Sequence, residues 1–145
     1  MSRDSLLTRI GDINDFDRPR PLVSLEEFFE GNDDYASIGC NLSDQPSPSE
    51  FYRLFALIRD RPDVRDVLVE VKQLEDPDGW PYTDTIWIIT KAAPDDVHQW
   101  FPERIAPDEV IEGFPKPGSQ PGFVGYEVEA YQVPDGMQAI GLWWD

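Results

Sequence analysis

A chain of 145 residues has the length of one ordinary domain, and 40 % apolar content with 8 Phe, 5 Trp and 5 Tyr excludes a disordered acidic polymer. Its 29 Asp and Glu against 12 Lys and Arg leave a formal charge of −17, where solubility of a small domain calls for roughly 2–8. That field argues against phosphate backbones and anionic membranes as partners, and for basic proteins and cationic ligands. The excess is uneven: residues 1–72 carry net −6 and residues 73–145 net −11, so the second half is the stronger cation-seeking region. One cysteine, Cys40, excludes an intramolecular disulfide and a multi-cysteine zinc site. Its place between Gly39 and Asn41 in an apolar stretch reads as a small core residue. The N-terminus lacks a signal-peptide apolar run and no stretch approaches a membrane span, so a cytoplasmic location is expected. Nine Arg to three Lys points to a GC-rich bacterial genome.

Residues 1–21 read as an irregular lead-in to a single acidic domain over 1–145. Leu6, Leu7 and Ile10 predict one helical turn ending at Gly11, and Arg18-Pro19-Arg20-Pro21 is an extended lead-in. Ser24 and Glu27 form a capping box for a short helix that buries Leu25, Phe28 and Phe29 and stops at Gly31. Residues 36–42 read as a short strand. Ser47, Pro48 and Glu50 are three agreeing start signals for a second helix, in which Phe51, Leu54, Phe55 and Ile58 form one stripe. Val67, Val69 and Val71 alternate with Leu68, Glu70 and Lys72, which predicts a half-buried strand. Residues 85–90 are apolar on both faces, as in a central strand, and the loop from Glu75 to Asp84 joins the two as a hairpin. Pro94-Asp95-Asp96 opens a third helix with Val97, Trp100 and Phe101 inward, and Pro107-Asp108-Glu109 opens a further turn. Residues 114–122, with three Pro and two Gly, form a surface loop.

Val133-Pro134-Asp135-Gly136 predicts a three-residue hairpin turn. It would set Val133 opposite Met137, and Tyr126, Val128 and Ala130 opposite Trp144, Leu142 and Ile140 on an apolar face. Together these elements predict an α+β fold: a mostly antiparallel five-stranded sheet with three or more helices packed on it.

Catalytic and metal motifs are absent. His98, the single histidine, lies off the stripe of its helix and is expected to be exposed. Asp12-Ile13-Asn14-Asp15-Phe16-Asp17 begins like a calcium loop, but Phe16 stands where an oxygen ligand is needed and Asp17 where glycine is. No glycine-rich phosphate loop and no paired-histidine zinc motif occurs, so neither cofactor nor metal is expected, and the balance leans away from an enzyme. The positive feature is the loop holding Asp76, Asp78, Trp80, Tyr82 and Asp84. Rigid aromatics among carboxylates suit an Arg- or Lys-rich partner through cation–π contact and ion pairing. The outward hairpin face of Glu127, Glu129, Tyr131 and Trp143 is a second candidate surface.

In type, a small, acidic, aromatic-rich cytoplasmic α+β domain resembles bacterial immunity and antitoxin proteins, although no family motif is matched residue by residue. The leading expectation is therefore an acidic protein-binding module that occupies a basic surface of a partner protein, without binding nucleic acid or membrane. The alternative is a small-ligand or carbohydrate-binding domain, or an enzyme, built around Trp80. The first predicts a flat acidic face and the second a closed pocket with converging polar groups. Oligomeric state stays open, a dimer through an edge strand included.

Overall fold

The computed structural model describes residues 3–115 and 127–145. Among them are four helices, α1 (Arg3–Ile10), α2 (Leu25–Phe29), α3 (Pro48–Arg59) and α4 (Pro94–Gln99). Five strands, β1 (Leu22–Ser24), β2 (Val64–Glu70), β3 (Thr85–Thr90), β4 (Glu109–Glu112) and β5 (Gln138–Trp143), form one sheet in the order β1-β2-β3-β5-β4. Every neighbouring pair is antiparallel, so the fold is α+β.

The helices start where their caps place them. Ser24 Oγ accepts the Glu27 N–H at 3.0 Å while Glu27 returns a carboxylate oxygen to the Ser24 N–H at 2.9 Å. Ser47 caps α3 in the same way at 3.2 Å, but Glu50 turns its carboxylate to Arg104 Nη1 at 2.8 Å instead of closing the box. The lead-in is more regular than its composition suggests. It contains α1, which ends where Gly11 takes φ +65°. After it, buried Arg20 binds the carbonyls of Ile13, Asp15, Arg18 and Lys72 and pins the loop against the sheet.

Three expectations fail for identifiable reasons. Residues 36–42 are not a strand but a 3-10 turn over Tyr35–Ser37 followed by bends. Gly39 sits there at φ +62°, a conformation no strand holds, and a Cβ on it would lie 2.6 Å from the Phe51 ring. Residues 109–112 pair with β5 as a strand, because β5 has room for a partner on that side. The hairpin into β5 does not form either: β3 and β4 occupy both edges of β5. The turn itself closes one residue later than read, with the Met137 N–H on the Pro134 carbonyl at 3.1 Å and Gly136 at φ +81°. Its incoming arm runs instead beside the chain at Arg20, in parallel, through Arg20 N–H to Glu127 O at 2.8 Å and Glu129 N–H to Arg20 O at 2.9 Å. Tyr126 and most of the 114–122 loop lie outside the described residues.

That detour gives the sheet two cores. The helices cover one face, where Val67, Val69, Ile86, Ile88, Ile140, Leu142 and Trp144 meet Phe51, Phe55 and Phe101. The other face buries Leu22, Leu68, Trp87, Ile89 and Ala139 beneath Phe114, Val128, Tyr131, Val133 and Met137. Val128 therefore lies on the opposite side of the sheet from Leu142. β2, read as half-buried, is covered on both faces from Val67 to Glu70 for the same reason.

Candidate functional site

Three stretches converge at the end of the sheet where β3 begins and β5 finishes. The first is the 34–41 segment. Buried Asn32 orders it, donating to Ser37 Oγ at 3.0 Å and accepting the Asp34 N–H at 2.9 Å. The second is the β2–β3 loop, in which the Asp76 carboxylate accepts the Asp78 N–H at 3.0 Å and the Gly79 N–H closes on the Asp76 carbonyl at 2.9 Å. Arg3 of α1 holds the tip of this loop, donating to Gly79 O at 2.5 Å and to Pro77 O. The third is the chain from Trp143 to Asp145, tied down by the Trp144 N–H to Asp84 O at 2.9 Å and the Asp145 N–H to Asp108 Oδ2 at 2.7 Å. Two bonds lock the first stretch to the second: Trp80 N–H to Asp34 Oδ2 at 3.1 Å and Thr83 N–H to Ser37 O at 2.8 Å.

Between them lies a half-open cleft of about 410 Å³. Asp34, Glu75, Asp76, Asp84 and Asp145 supply carboxylates and Trp80, Tyr82 and Trp143 supply rings, with the core residue Trp144 behind them, while no Lys or Arg is among the described lining residues. Glu75 makes no hydrogen bond or ion pair among the described residues, and the Asp76 and Asp84 side chains each engage through one oxygen only. Burial pushes the Tyr82 hydroxyl pKa up, and the nearby charges of Asp84 and Glu75 push it further. Tyr82 is thus a neutral hydroxyl facing negative charge. Trp80 is half-buried: its ring packs on the helix-side core, and its Nε1 is buried without a hydrogen-bond partner among the described residues. Such a site offers acceptors and π faces to a cation, with a low-polarity wall that limits competition from water.

Of the residues singled out from sequence, the cleft unites Asp76, Trp80, Tyr82 and Asp84 with Trp143. Asp78 stands in the exposed turn outside it. Glu127 is exposed, Glu129 pairs with Arg9 at 3.0 Å and accepts the Leu22 N–H at 2.8 Å, and half-buried Tyr131 reaches Asp66 Oδ2 at 3.5 Å. The outward hairpin face is therefore dispersed, since its hairpin does not exist. Cys40, read as core, is exposed at the rim of the cleft, because the bend at Gly39 turns the chain outward. His98 is exposed, as its place off the helical stripe required. The wall from Asp34 to Asn41 was not anticipated. Its signal was Asn32-Asp33-Asp34, a polar run suited to capping and turning, where Asp34 caps the 3-10 turn through the Ala36 N–H at 2.9 Å. Among the described residues no group of His, Cys, Asp and Glu is arranged to hold a metal ion, and no helix is long and apolar enough to cross a membrane.

The sequence matches the family model described as the uncharacterized protein YfbO family over residues 1–142. It is 45 % identical over 135 residues to the uncharacterized protein YfbO of Escherichia coli (strain K12), an alignment covering 93 % of this chain and 90 % of that protein. No solved structure matches.

Proposed function

The chain belongs to the YfbO family, and since that membership assigns no chemistry, we propose from the cleft that it is an acidic binding module for a basic segment of a partner protein. One observation carries this reading: five carboxylates and three partly exposed aromatic residues line a single cleft that, among the described residues, no Lys or Arg lines. A guanidinium or ammonium group entering it gains hydrogen-bonded carboxylates and a π face together. The net charge of −17 adds long-range steering, so association is fast and salt-sensitive. An immunity- or antitoxin-type inhibitor that covers a basic surface is the form of this reading most in keeping with the charge. A second reading, in which the cleft holds a small organic cation or a sugar, is favoured by its volume of about 410 Å³, which lies within the range of small-molecule sites.

Titration calorimetry with hexa-arginine, free arginine and tetramethylammonium separates the two. The proposal expects hexa-arginine to bind far better than either small cation, with affinity falling as salt rises. Trp80→Ala should then weaken binding by about 2 kcal/mol or more with the circular dichroism spectrum unchanged. Asp76→Asn should chiefly slow association. Salt-insensitive or absent hexa-arginine binding would sink the proposal, and so would a Trp80→Ala variant that melts several degrees lower while keeping full affinity. Tight binding of a small cation with no gain from the peptide selects the second reading.

A further inference from the structure

On the sheet face opposite the helices, beside Trp87, the fold buries one carboxylate completely. Glu70 is 0 % exposed. Its Oε1 accepts the Trp87 Nε1–H at 2.8 Å, and its Oε2 is ion-paired with Lys72 Nζ. An ionised carboxylate taken out of water requires a counter-charge, and this lysine supplies it. The same ammonium lies 3.4 Å from Asp84 Oδ1, an oxygen that also accepts the Thr85 hydroxyl at 2.8 Å. Asp84 lines the cleft. A continuous line of contacts thus runs from the Trp87 indole through Glu70 and Lys72 to the cleft wall. The lysine's charge also reaches Tyr82, where it opposes the upward push of burial, Asp84 and Glu75 on the hydroxyl pKa.

We infer that the buried Glu70–Lys72 pair sets how much negative charge the cleft presents to a cation, with Glu70 engaging the Lys72 ammonium so that Asp84 is only partly neutralised. Glu70 and Lys72 are then positioning residues that act through Asp84 and touch no ligand themselves. Regulation of the site in this sense rests on the cation-binding reading above. Two changes at one ion pair should therefore move affinity in opposite directions. Without the Glu70 charge, the whole ammonium field falls on Asp84 and an incoming cation meets less negative charge. Without Lys72, the tethered competitor is gone.

The test measures hexa-arginine affinity at 150 mM salt for Glu70→Gln, which keeps an acceptor for Trp87, and for Lys72→Met. The expected result is about tenfold weaker binding for the first and about tenfold tighter binding for the second, the scale of one unit charge acting across a partly buried site. Asp135→Asn, the same unit of charge removed from an exposed turn, should change affinity less than about twofold at this salt. Where Lys72→Met leaves Glu70 unpaired and fails to fold, the double variant Glu70→Gln/Lys72→Met buries no charge and should bind more tightly than Glu70→Gln alone. A merely structural pair would lower stability in both single variants and move affinity in neither. A readout without ligand is the alkaline titration of Tyr82 followed by ¹³Cζ-tyrosine NMR, which should shift upward once Lys72 is removed. If the wild type binds no hexa-arginine yet Tyr82 shifts, the functional reading falls and the charge relay stands. An unmoved Tyr82, or affinities that change in the same direction, overturns the relay.

Discussion

Trp87 fits into the centre of the sheet because position 141 is glycine. A Cβ there would stand 2.8 Å from ring atoms Cη2 and Cζ3 of the indole, inside any normal contact distance. The ring is fully buried, with Phe114 4.7 Å away between centroids and Glu70 on its Nε1, so it has nowhere to retreat. Gly141→Ala should accordingly destabilise the fold by about 1–3 kcal/mol, the usual range for an overpacked core. Urea unfolding followed by tryptophan fluorescence checks this, and an unchanged midpoint would mean that the sheet yields at this point. A glycine inside an apolar strand signals a close approach. Which ring approaches cannot be read from the chain, since 87 and 141 meet only through strand pairing.

At the scale of elements, α2 and α3 are joined by more than their phenylalanines. Arg59 grips Glu26 with Nη1 and Nη2, which donate to its two carboxylate oxygens at 2.8 and 2.7 Å, and the Tyr52 hydroxyl adds a contact at 3.2 Å. The Arg59 hydrogen bonds, ahead of the guanidinium charge, hold the Glu26 carboxyl below the ordinary glutamate value of 4.5. A depressed folded-state pKa stabilises above the unfolded value, and that contribution is lost as pH falls through the folded one. Arg59→Met should therefore lower stability at pH 7 and leave it less pH-dependent below about pH 4.5. Because the two side chains remain 31 % and 38 % exposed, the loss should be small, about 0.5 kcal/mol. Urea midpoints at pH 7 and pH 3.5 give the comparison, and parallel losses at both would refute it. β5 is paired on both edges, by β3 and β4. Leu142→Ala should cost about 2–5 kcal/mol by emptying a fully buried leucine site, again read from urea unfolding. A loss under about 1 kcal/mol would mean that the site collapses around the smaller side chain.

For the whole molecule, charge sets the outward behaviour. With −17 overall and three basic side chains after residue 72, random-sequence duplex DNA should show no micromolar binding at 150 mM salt. Measurable, steeply salt-dependent retention in fluorescence anisotropy would contradict that. The same acidity was legible from composition. The caps of α2 and α3 and the aromatic carboxylate loop were legible because each is set by neighbours a few residues apart, and the β2–β3 pairing because its two strands follow one another along the chain. Ser24 and Glu27, or Ser47 and Pro48, need no distant partner to begin a helix. The C-terminal turn was legible to within one residue, but not what its arms pair with. Strand pairing is decided by competition among distant edges, and β3 and β4 take both sides of β5 from the arm that a local count assigned to it. That outcome sends the arm across the second face and leaves Trp143 paired with Thr85 and Glu109, lining the cleft with Trp80 instead of facing Glu127. Sequence alone thus determined the charge, the α+β class and one wall of the cleft. Tertiary structure alone decided the other two walls, because Asp34, Asp84 and Asp145 come together only after the sheet has closed over its long-range contacts.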